Sequence, residues 1–118
     1  MKLVRFIPGP LPGRNESEKA ARANRYGAAG LKKKWTRHCA CCFGGCGKKF
    51  DRVTVELLWV EKNRRRDPDN IAGAVKVVLD GIVAAGVLKN DGWKQIKSIV
   101  NNFEVGITPG VWVIIEEA

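Results

Sequence analysis

Two aspartates, Asp67 and Asp69, lie two positions apart directly after three arginines, in the segment RRRDPDN. Pro68 favours an extended conformation for the residue before it, and residues i and i+2 of an extended chain point to the same side. Two carboxylates on one side repel each other unless a cation lies between them. Mg²⁺ is such a cation, because it takes oxygen ligands and keeps several of its waters. The pair is therefore a candidate magnesium site.

A purely structural interpretation of the pair is equally open on the local sequence. Asp69 would cap the helix that follows, and Asp67 would form an ion pair with a neighbouring arginine. A calcium-binding EF-hand is excluded, because DPDNIAGAV lacks a third acidic position at the required offset and the later ligands of that loop.

Three further residues could complete an active site around the pair. Asp91, in LKNDGW, is a third carboxylate, and three carboxylates around a metal ion suit a nuclease, because the ion polarises the scissile phosphate and helps to generate hydroxide from water. Lys76 follows Asp69 by two helical turns on the same side and could stabilise charge on the phosphate. Its alternative role is an i, i+4 ion pair with Asp80. Asn70 is expected either to orient a carboxylate or water, or to cap the helix.

The charge of the chain predicts an anionic partner. There are 21 basic and 12 acidic residues, a net charge of +9. Nucleic acid is the first candidate and an anionic membrane surface the second. The basic residues that we expect to hold a phosphate backbone are Arg64, Arg65 and Arg66, with Lys32, Lys33 and Lys34 as a more distant contact. For any one cluster, the alternative is a solubilising surface.

Four cysteines fall within eight residues: Cys39, Cys41, Cys42 and Cys46. Structural zinc sites usually combine two separated cysteine or histidine pairs, and this chain has no second pair. Zinc at these cysteines is therefore disfavoured, although a small zinc-stabilised regulator remains a hypothesis. Reduced, mostly buried thiols near a helix end are the prediction, since free cysteine behaves as a small hydrophobe.

The 118 residues predict one domain, residues 1–118, of the α+β class. Two main helices would pack on a small mixed sheet in the order β-α-β-α-β-β. The predicted strands are 2–7, 52–61, 94–106 and 111–118, and the predicted helical regions are 15–42 and 70–85. The first helical region is one long helix or two shorter ones, unless its early part is a mobile loop. Gly86 is expected to end the second helix at its C′ position.

Two expectations concern the surroundings of this domain. No apolar run approaches the roughly 20 residues that span a bilayer, and the amino terminus does not read as a signal peptide, so a cytoplasmic protein is expected.

Trp93 is expected to pack in the core or an interface rather than to act as a stacking wedge at a DNA branch point.

Residues 62–97 resemble the signature of the RusA family of Holliday junction resolvases, which phages and prophages often carry. The shared pattern is a basic run, D-x-D-N, an amphipathic helix ending in L-D-x-[LI]-x-x-A-G, and an acidic turn. Here it reads RRRDPDNIAGAVKVVLDGIVAAGVLKNDGWKQI. The flanks agree more loosely, through LPGRNE before the signature and two strands after it.

The resemblance implies a homodimer that binds four-way DNA junctions and nicks two opposed strands in recombination and repair. The metal would be Mg²⁺, with Mn²⁺ as a substitute, held by aspartates that correspond to Asp67, Asp69 and Asp91. Two departures stand out. Gly73 lies where many members have a basic residue, so Lys76 would take that role one helical turn later. Asn90 replaces the first of two acidic residues in the later turn.

The length of the second helix limits how Asp91 can join the pair. A helix over residues 71–85 would span about 22 Å. The six steps from Ala85 to Asp91 reach at most about 20 Å. Asp91 therefore meets the pair if the chain doubles back along the helix, if the helix is shorter, or if a partner subunit supplies it. We favour the return within one subunit. A non-catalytic basic nucleic-acid-binding protein, in which the aspartates only cap and pair, is the alternative to the enzyme.

Overall fold

The computed structural model describes the backbone of residues 1–118 and every side chain except that of Arg25. Its elements, in chain order, are β1 (Lys2–Pro8), α1 (Arg14–Ala23), α2 (Arg25–Phe43), β2 (Val53–Glu61), α3 (Pro68–Ala72), α4 (Val75–Ala84), β3 (Ile96–Val105) and β4 (Gly110–Glu117). When consecutive helices are grouped, the order is β-α-β-α-β-β, as predicted.

The four strands form one mixed sheet in the order β1-β4-β2-β3. β4 pairs antiparallel with both β1 and β2, whereas β3 pairs parallel with β2. The parallel pair needs a crossover, and α3 and α4 supply it. The α+β class and the mixed sheet are therefore confirmed.

The core lies between one face of the sheet and the helices. Alternate residues of the two central strands are fully buried, as expected for a sheet with one covered face. The largest of the buried helical side chains are Phe43 of α2 and Ile82 of α4. α2 is the longest helix, at 19 residues. No helix in the described part of the chain is long and apolar enough to cross a membrane.

The first predicted helical region consists of two helices that meet at Asn24. Asn24 has an extended backbone, and its side chain accepts a hydrogen bond from the backbone N–H of Tyr26 at 2.8 Å, which caps α2. Residues 14–23 form α1, so the alternative of a mobile loop is wrong. The break falls at a capping residue rather than at Gly27 or Gly30, because a capped start satisfies the free N–H groups of the second helix.

The second predicted helix, 70–85, is also two helices, so that prediction is corrected. α3 begins at Pro68, where the missing N–H of proline costs nothing in the first helical turn. The break follows at Gly73 and Ala74. A Cβ on Gly73 would lie 2.7 Å from Cβ of Arg14, so the start of α1 packs directly against this turn.

Gly86 ends α4 as predicted and turns the chain back. Its φ is +79°, and it lies at C′ of a Schellman motif in which Val87 N–H bonds to Ile82 O at 3.1 Å and Gly86 N–H to Val83 O at 2.9 Å. Val87 and Leu88 then return to the core. This reversal points the following residues, including Asp91, back along α4.

The helix side of β3 is left partly uncovered. The strand register places Ile99 and Phe103 beside Val55 and Trp59 of β2, yet each is 39% exposed. Trp93, in the turn before β3, is 96% exposed. Trp93 therefore does not pack in the core of the chain, whereas the alternative of packing in an interface stays a prediction.

Replacing Gly73 with alanine should destabilise the fold, because the new methyl group meets the Cβ and the backbone N of Arg14. Overpacking of this kind typically costs about 1–3 kcal/mol. Gly30→Ala in α2 is the control, since nothing lies within 4 Å of its Cβ position. It should raise the free energy of unfolding by up to about 1 kcal/mol. Urea unfolding of both variants checks this, and equal effects of the two would contradict the packing argument.

Candidate active site

Asp67 and Asp69 lie at the start of α3 with free carboxylates. Asp67 is the N-cap residue, with φ −71° and ψ 151°, but its side chain makes no capping hydrogen bond. Both residues are exposed. Among the described side chains, neither carboxylate forms a hydrogen bond or an ion pair. The structural interpretation, in which Asp69 caps the helix and Asp67 pairs with an arginine, is therefore not what the structure shows.

The extended-chain argument for the pair is corrected. Asp67 is extended, but Asp69 already belongs to the first turn of α3. The two carboxylates are therefore neighbours at a helix N-terminus rather than two side chains on one face of an extended segment. The partial positive charge of the first-turn N–H groups favours carboxylates there.

Arg66 differs from the two arginines before it. Its Nε donates to Oε1 of Glu61 at 2.8 Å and its Nη2 to Oε2 of the same carboxylate at 3.0 Å. Its Nη1 donates to Leu11 O at 2.9 Å and to Oε1 of Glu16 at 2.6 Å. Four of the five N–H donors of a guanidinium are thus directed at protein acceptors. In this structure the guanidinium of Arg66 binds groups of the chain itself. A contact of Arg66 with DNA stays a prediction.

Arg64 and Arg65 are exposed, and their guanidinium groups have no partner among the described side chains. They lie in the loop between β2 and α3, immediately before the acidic pair. This loop therefore presents free cations and free carboxylates within a few residues of each other. Both predictions of a phosphate contact remain compatible with this exposure.

Asn70 is buried and faces α1 rather than the acidic pair. Its Oδ1 accepts a hydrogen bond from the backbone N–H of Asn15 at 2.8 Å. Asn15 is the second residue of α1, and the N-cap residue of that helix, Gly13, offers no side chain. Asn70 therefore does cap a helix, but the helix is α1.

Lys76, in the first turn of α4, forms ion pairs with two carboxylates. Its Nζ lies 3.0 Å from Oδ1 of Asp80 and 3.0 Å from Oδ2 of Asp91. The hydrogen bonds to Asp80 and then Asp91 raise the pKa of Lys76 above its ordinary value. The predicted i, i+4 pair is confirmed, although such exposed pairs stabilise proteins little. The contact with Asp91 shows that the chain returns to the first turn of α4 within one subunit.

The predicted lysine cluster lies exposed on α2. Lys32 Nζ is 3.7 Å from Oδ2 of Asp80, so it shares that carboxylate with Lys76. Lys34 Nζ lies 5.6 Å from the ring centre of Trp35, and Lys33 is free of ion pairs among the described side chains. Lys32 is thus a neighbour of Lys76 rather than a remote cation.

The three aspartates do not form one metal cage. In the described part of the chain, no group of three or more histidine, cysteine, aspartate or glutamate side chains is placed to hold a metal ion. Magnesium, however, is often bound through one or two carboxylates together with substrate phosphates and water. The exposed, unpartnered oxygens of Asp67 and Asp69 fit that kind of binding. The carboxylate of Asp91 is instead held by Lys76.

The cysteines are free thiols at the end of α2 and in the loop after it. Cys39 is buried, Cys42 and Cys46 are half-buried, and Cys41 is exposed, so the prediction of mostly buried thiols holds for Cys39 and is wrong for Cys41. Burial, with a smaller effect of Cys42, raises the pKa of Cys39 to about 12. Cys39 is therefore a buried thiol of the core.

Sequence reasoning missed Glu16 and Glu61, the two carboxylates that hold Arg66. Glu16 is 50 positions from Arg66, and no local spacing links the two residues. Glu61 ends a strand, where it reads as an ordinary polar terminus. The sequence therefore carries no signal that links these residues to Arg66. Only the fold brings them together, because both belong to elements that meet beside α3.

Comparison with known proteins does not add a family to these observations. No protein-family model matches the chain, and no curated protein has a significantly similar sequence. The functional assignment therefore depends on the geometry around the acidic pair and on the resemblance of residues 62–97.

Asp67→Asn and Asp69→Asn should each change the free energy of unfolding by less than about 0.5 kcal/mol, because neither carboxylate has a partner to lose. Asn70→Ala should lower it by about 1 kcal/mol or more, because it removes the cap of α1. Urea unfolding in metal-free solution measures all three. A loss of 1 kcal/mol in either aspartate variant would restore the structural interpretation.

The contribution of Glu16 to stability should depend on pH. Burial alone would raise the pKa of Glu16, but hydrogen bonds from Arg66 and from its own backbone hold it below the ordinary 4.5. A depressed carboxyl pKa stabilises the folded state above the ordinary value, and this stabilisation is lost as the pH falls through the folded pKa.

The Tm difference between the wild type and Glu16→Gln should therefore be full at neutral pH and should vanish in acid below pH 4.5. Thermal unfolding followed by circular dichroism over that range tests it. Glu116→Gln removes an exposed carboxylate with no ion pair and is the control. A Tm difference for Glu16→Gln that persists in acid would refute the ion-pair explanation.

Proposed function

We propose that this chain is a Mg²⁺-dependent, structure-specific endodeoxyribonuclease that nicks four-way DNA junctions in recombination and repair. The observation that carries the proposal is that Asp67 and Asp69 are exposed and unpartnered beside two free arginines. In a protein of net charge +9, carboxylates that contribute neither a cap nor an ion pair, and that lie next to two free arginines, are free to bind a cation. Holding a divalent cation against a phosphate is the role that their chemistry suits.

Each residue of the loop between β2 and α3 then has a distinct task. Asp67 and Asp69 would hold Mg²⁺, while Arg64 and Arg65 bind the phosphates on either side. When bound, the ion supplies Lewis-acid polarisation of the phosphate and a more acidic water. The carboxylates and arginines cooperate, since the cation joins the acidic pair to the phosphate-binding surface.

Lys76 and Asp91 would complete the site from the side of α4. Their contact at 3.0 Å supports the return of Asp91 within one subunit. Lys76 is 58% exposed and can turn towards DNA, where its charge would stabilise a phosphate or leaving oxygen. Asp91 would supply the third carboxylate of the site, next to Lys76. A basic side chain four positions after Asp69 would have no room here, because Gly73 packs against Arg14 of α1, so Lys76 would take that role.

A homodimer belongs to this proposal. The uncovered apolar side chains of β3, among them Ile99 and Phe103, support a second copy as a partner, because a large exposed apolar patch usually marks an interface. Two active sites in one dimer would suit the two opposed strands of a junction. A cytoplasmic location, where such DNA is found, is part of the same proposal.

A second candidate is a non-catalytic basic nucleic-acid-binding protein. One observation favours it, namely that no three acidic side chains of the described part of the chain converge around a metal position. Phosphate binding by Arg64, Arg65 and the lysines of α2 would then be the whole function, and the acidic pair would only shape the local charge.

Incubation with a synthetic four-way junction and a linear duplex, with and without Mg²⁺, separates the two candidates. The enzyme should nick the junction only with the metal and leave the duplex intact. Asp69→Asn should abolish nicking, at least a hundredfold, and should bind the junction as well as the wild type or better in metal-free solution, because it removes a repulsive charge.

Asp51→Asn is the matched control, since Asp51 is also an exposed aspartate without a partner but lies before β2. It should nick at the wild-type rate. If the protein binds the junction but nicks it at no pH between 6 and 9, the non-catalytic candidate is established instead.

A further inference from the structure

The acidic pair is bracketed by two residues that point the other way. Arg66 precedes Asp67, and Asn70 follows Asp69. Both bracketing side chains bind the region of α1, whereas both aspartates are exposed. The segment of five residues is therefore anchored by the side chains at its two ends, and the two carboxylates between them are free.

Arg66 joins three separate parts of the chain. One carboxylate, Glu61, lies at the end of β2, and the other, Glu16, lies in the first turn of α1. The carbonyl of Leu11 belongs to the loop between β1 and α1. The pair with Glu61 is bidentate, which fixes the plane of the guanidinium. The side chain of Arg66 is 21% exposed, so water screens these contacts less than those of a surface pair.

A guanidinium held in this way is a poor phosphate ligand. To bind DNA through its planar fork, Arg66 would have to release Glu61 and leave the half-buried carboxylates of Glu61 and Glu16 without their cation. Removing one partner of a partly buried pair costs more than an exposed ion pair gains. Arg64 and Arg65 offer the same chemistry at no such cost.

We propose that Arg66 is a positioning residue: through Glu61 and Glu16 it fixes where the Asp67–Asp69 pair stands, and it does not contact the phosphate backbone. This inference rests on the proposed function of the pair. Metal ligands must be held within about 0.5 Å of their working positions. Because Asp67 is the next residue after Arg66, the ion pairs of Arg66 set the start of α3 and with it both carboxylates.

Two measurements on junction binding and metal binding test this role. In metal-free solution, log K for the junction falls with log salt by about 0.9 per phosphate contact. Arg64→Gln should therefore reduce the salt slope by about 1, whereas Arg66→Gln should keep the wild-type slope. A reduction of about 1 in Arg66→Gln would overturn the proposal.

The second measurement is the affinity of the free protein for Mn²⁺, followed by electron paramagnetic resonance, together with the Mg²⁺ concentration that gives half-maximal nicking. Arg66→Lys keeps the charge but cannot form the bidentate pair. It should weaken Mn²⁺ binding and raise the Mg²⁺ requirement at least tenfold. Arg52→Lys, at an exposed arginine before β2, is the control and should change neither value.

Glu16→Gln keeps the test decisive if Arg66 variants fold poorly, since it removes one ion pair and leaves Arg66 bound to Glu61. It should shift the Mn²⁺ affinity in the same direction, and combining it with Arg66→Lys should add less than the sum of the two effects. Wild-type metal affinity in folded Arg66→Lys and Glu16→Gln would overturn the inference. A wild-type protein that neither binds Mn²⁺ nor nicks would instead reject the proposed function, and the inference with it.

Discussion

The packing of the first turn of α1 against α3 is the constraint on which the candidate site depends. Arg14 lies so close to Gly73 that a side chain there would collide with it, and α3 ends at this contact after five residues. Asn70 caps α1 across the same boundary. Since α3 is short and held on its α1 side, its other side is turned to solvent together with Asp67 and Asp69. These contacts with α1 hold the start of α3 in place, and with it the backbone of Asp67 and Asp69.

Local patterns were sufficient to predict most of the fold. The alternation of β2, the apolar repeat of α4 and the glycine at the end of α4 all act over a few residues, and they predicted the element order and the mixed sheet. The break at Gly73 was not predicted. Glycine weakens a helix locally, but the close approach of Arg14, more than fifty positions away, is visible only in the fold. The exposure of Trp93 was not predictable for a similar reason, since burial in the core depends on which elements cover a residue and not on the residue alone.

The candidate site divides in the same way. Residue types and spacing make Asp67, Asp69 and Asp91 candidates, but they do not distinguish the three arginines of one run. Only the fold shows that Arg66 meets Glu61 and Glu16 while its two neighbours stay free. Four of the aspartates differ in their partners. Asp80 and Asp91 near α4 are paired with lysines, whereas Asp67 and Asp69 at α3 have no partner among the described side chains, so an anionic molecule would meet unpaired negative charge there.

The uncovered strand β3 has a consequence for how the protein behaves in a test tube. As the last strand of the sheet, it presents a row of backbone N–H and C=O groups without partners on its outer edge. Such an edge invites another chain to pair with it, and the charged residues Lys97 and Glu104 are its main protection. If a second copy covers it, association adds to the stability of the folded chain, and the fraction of dimer depends on the protein concentration. Dilution would then dissociate the dimer. A rate measured at nanomolar protein would therefore describe a different species from one measured at micromolar protein.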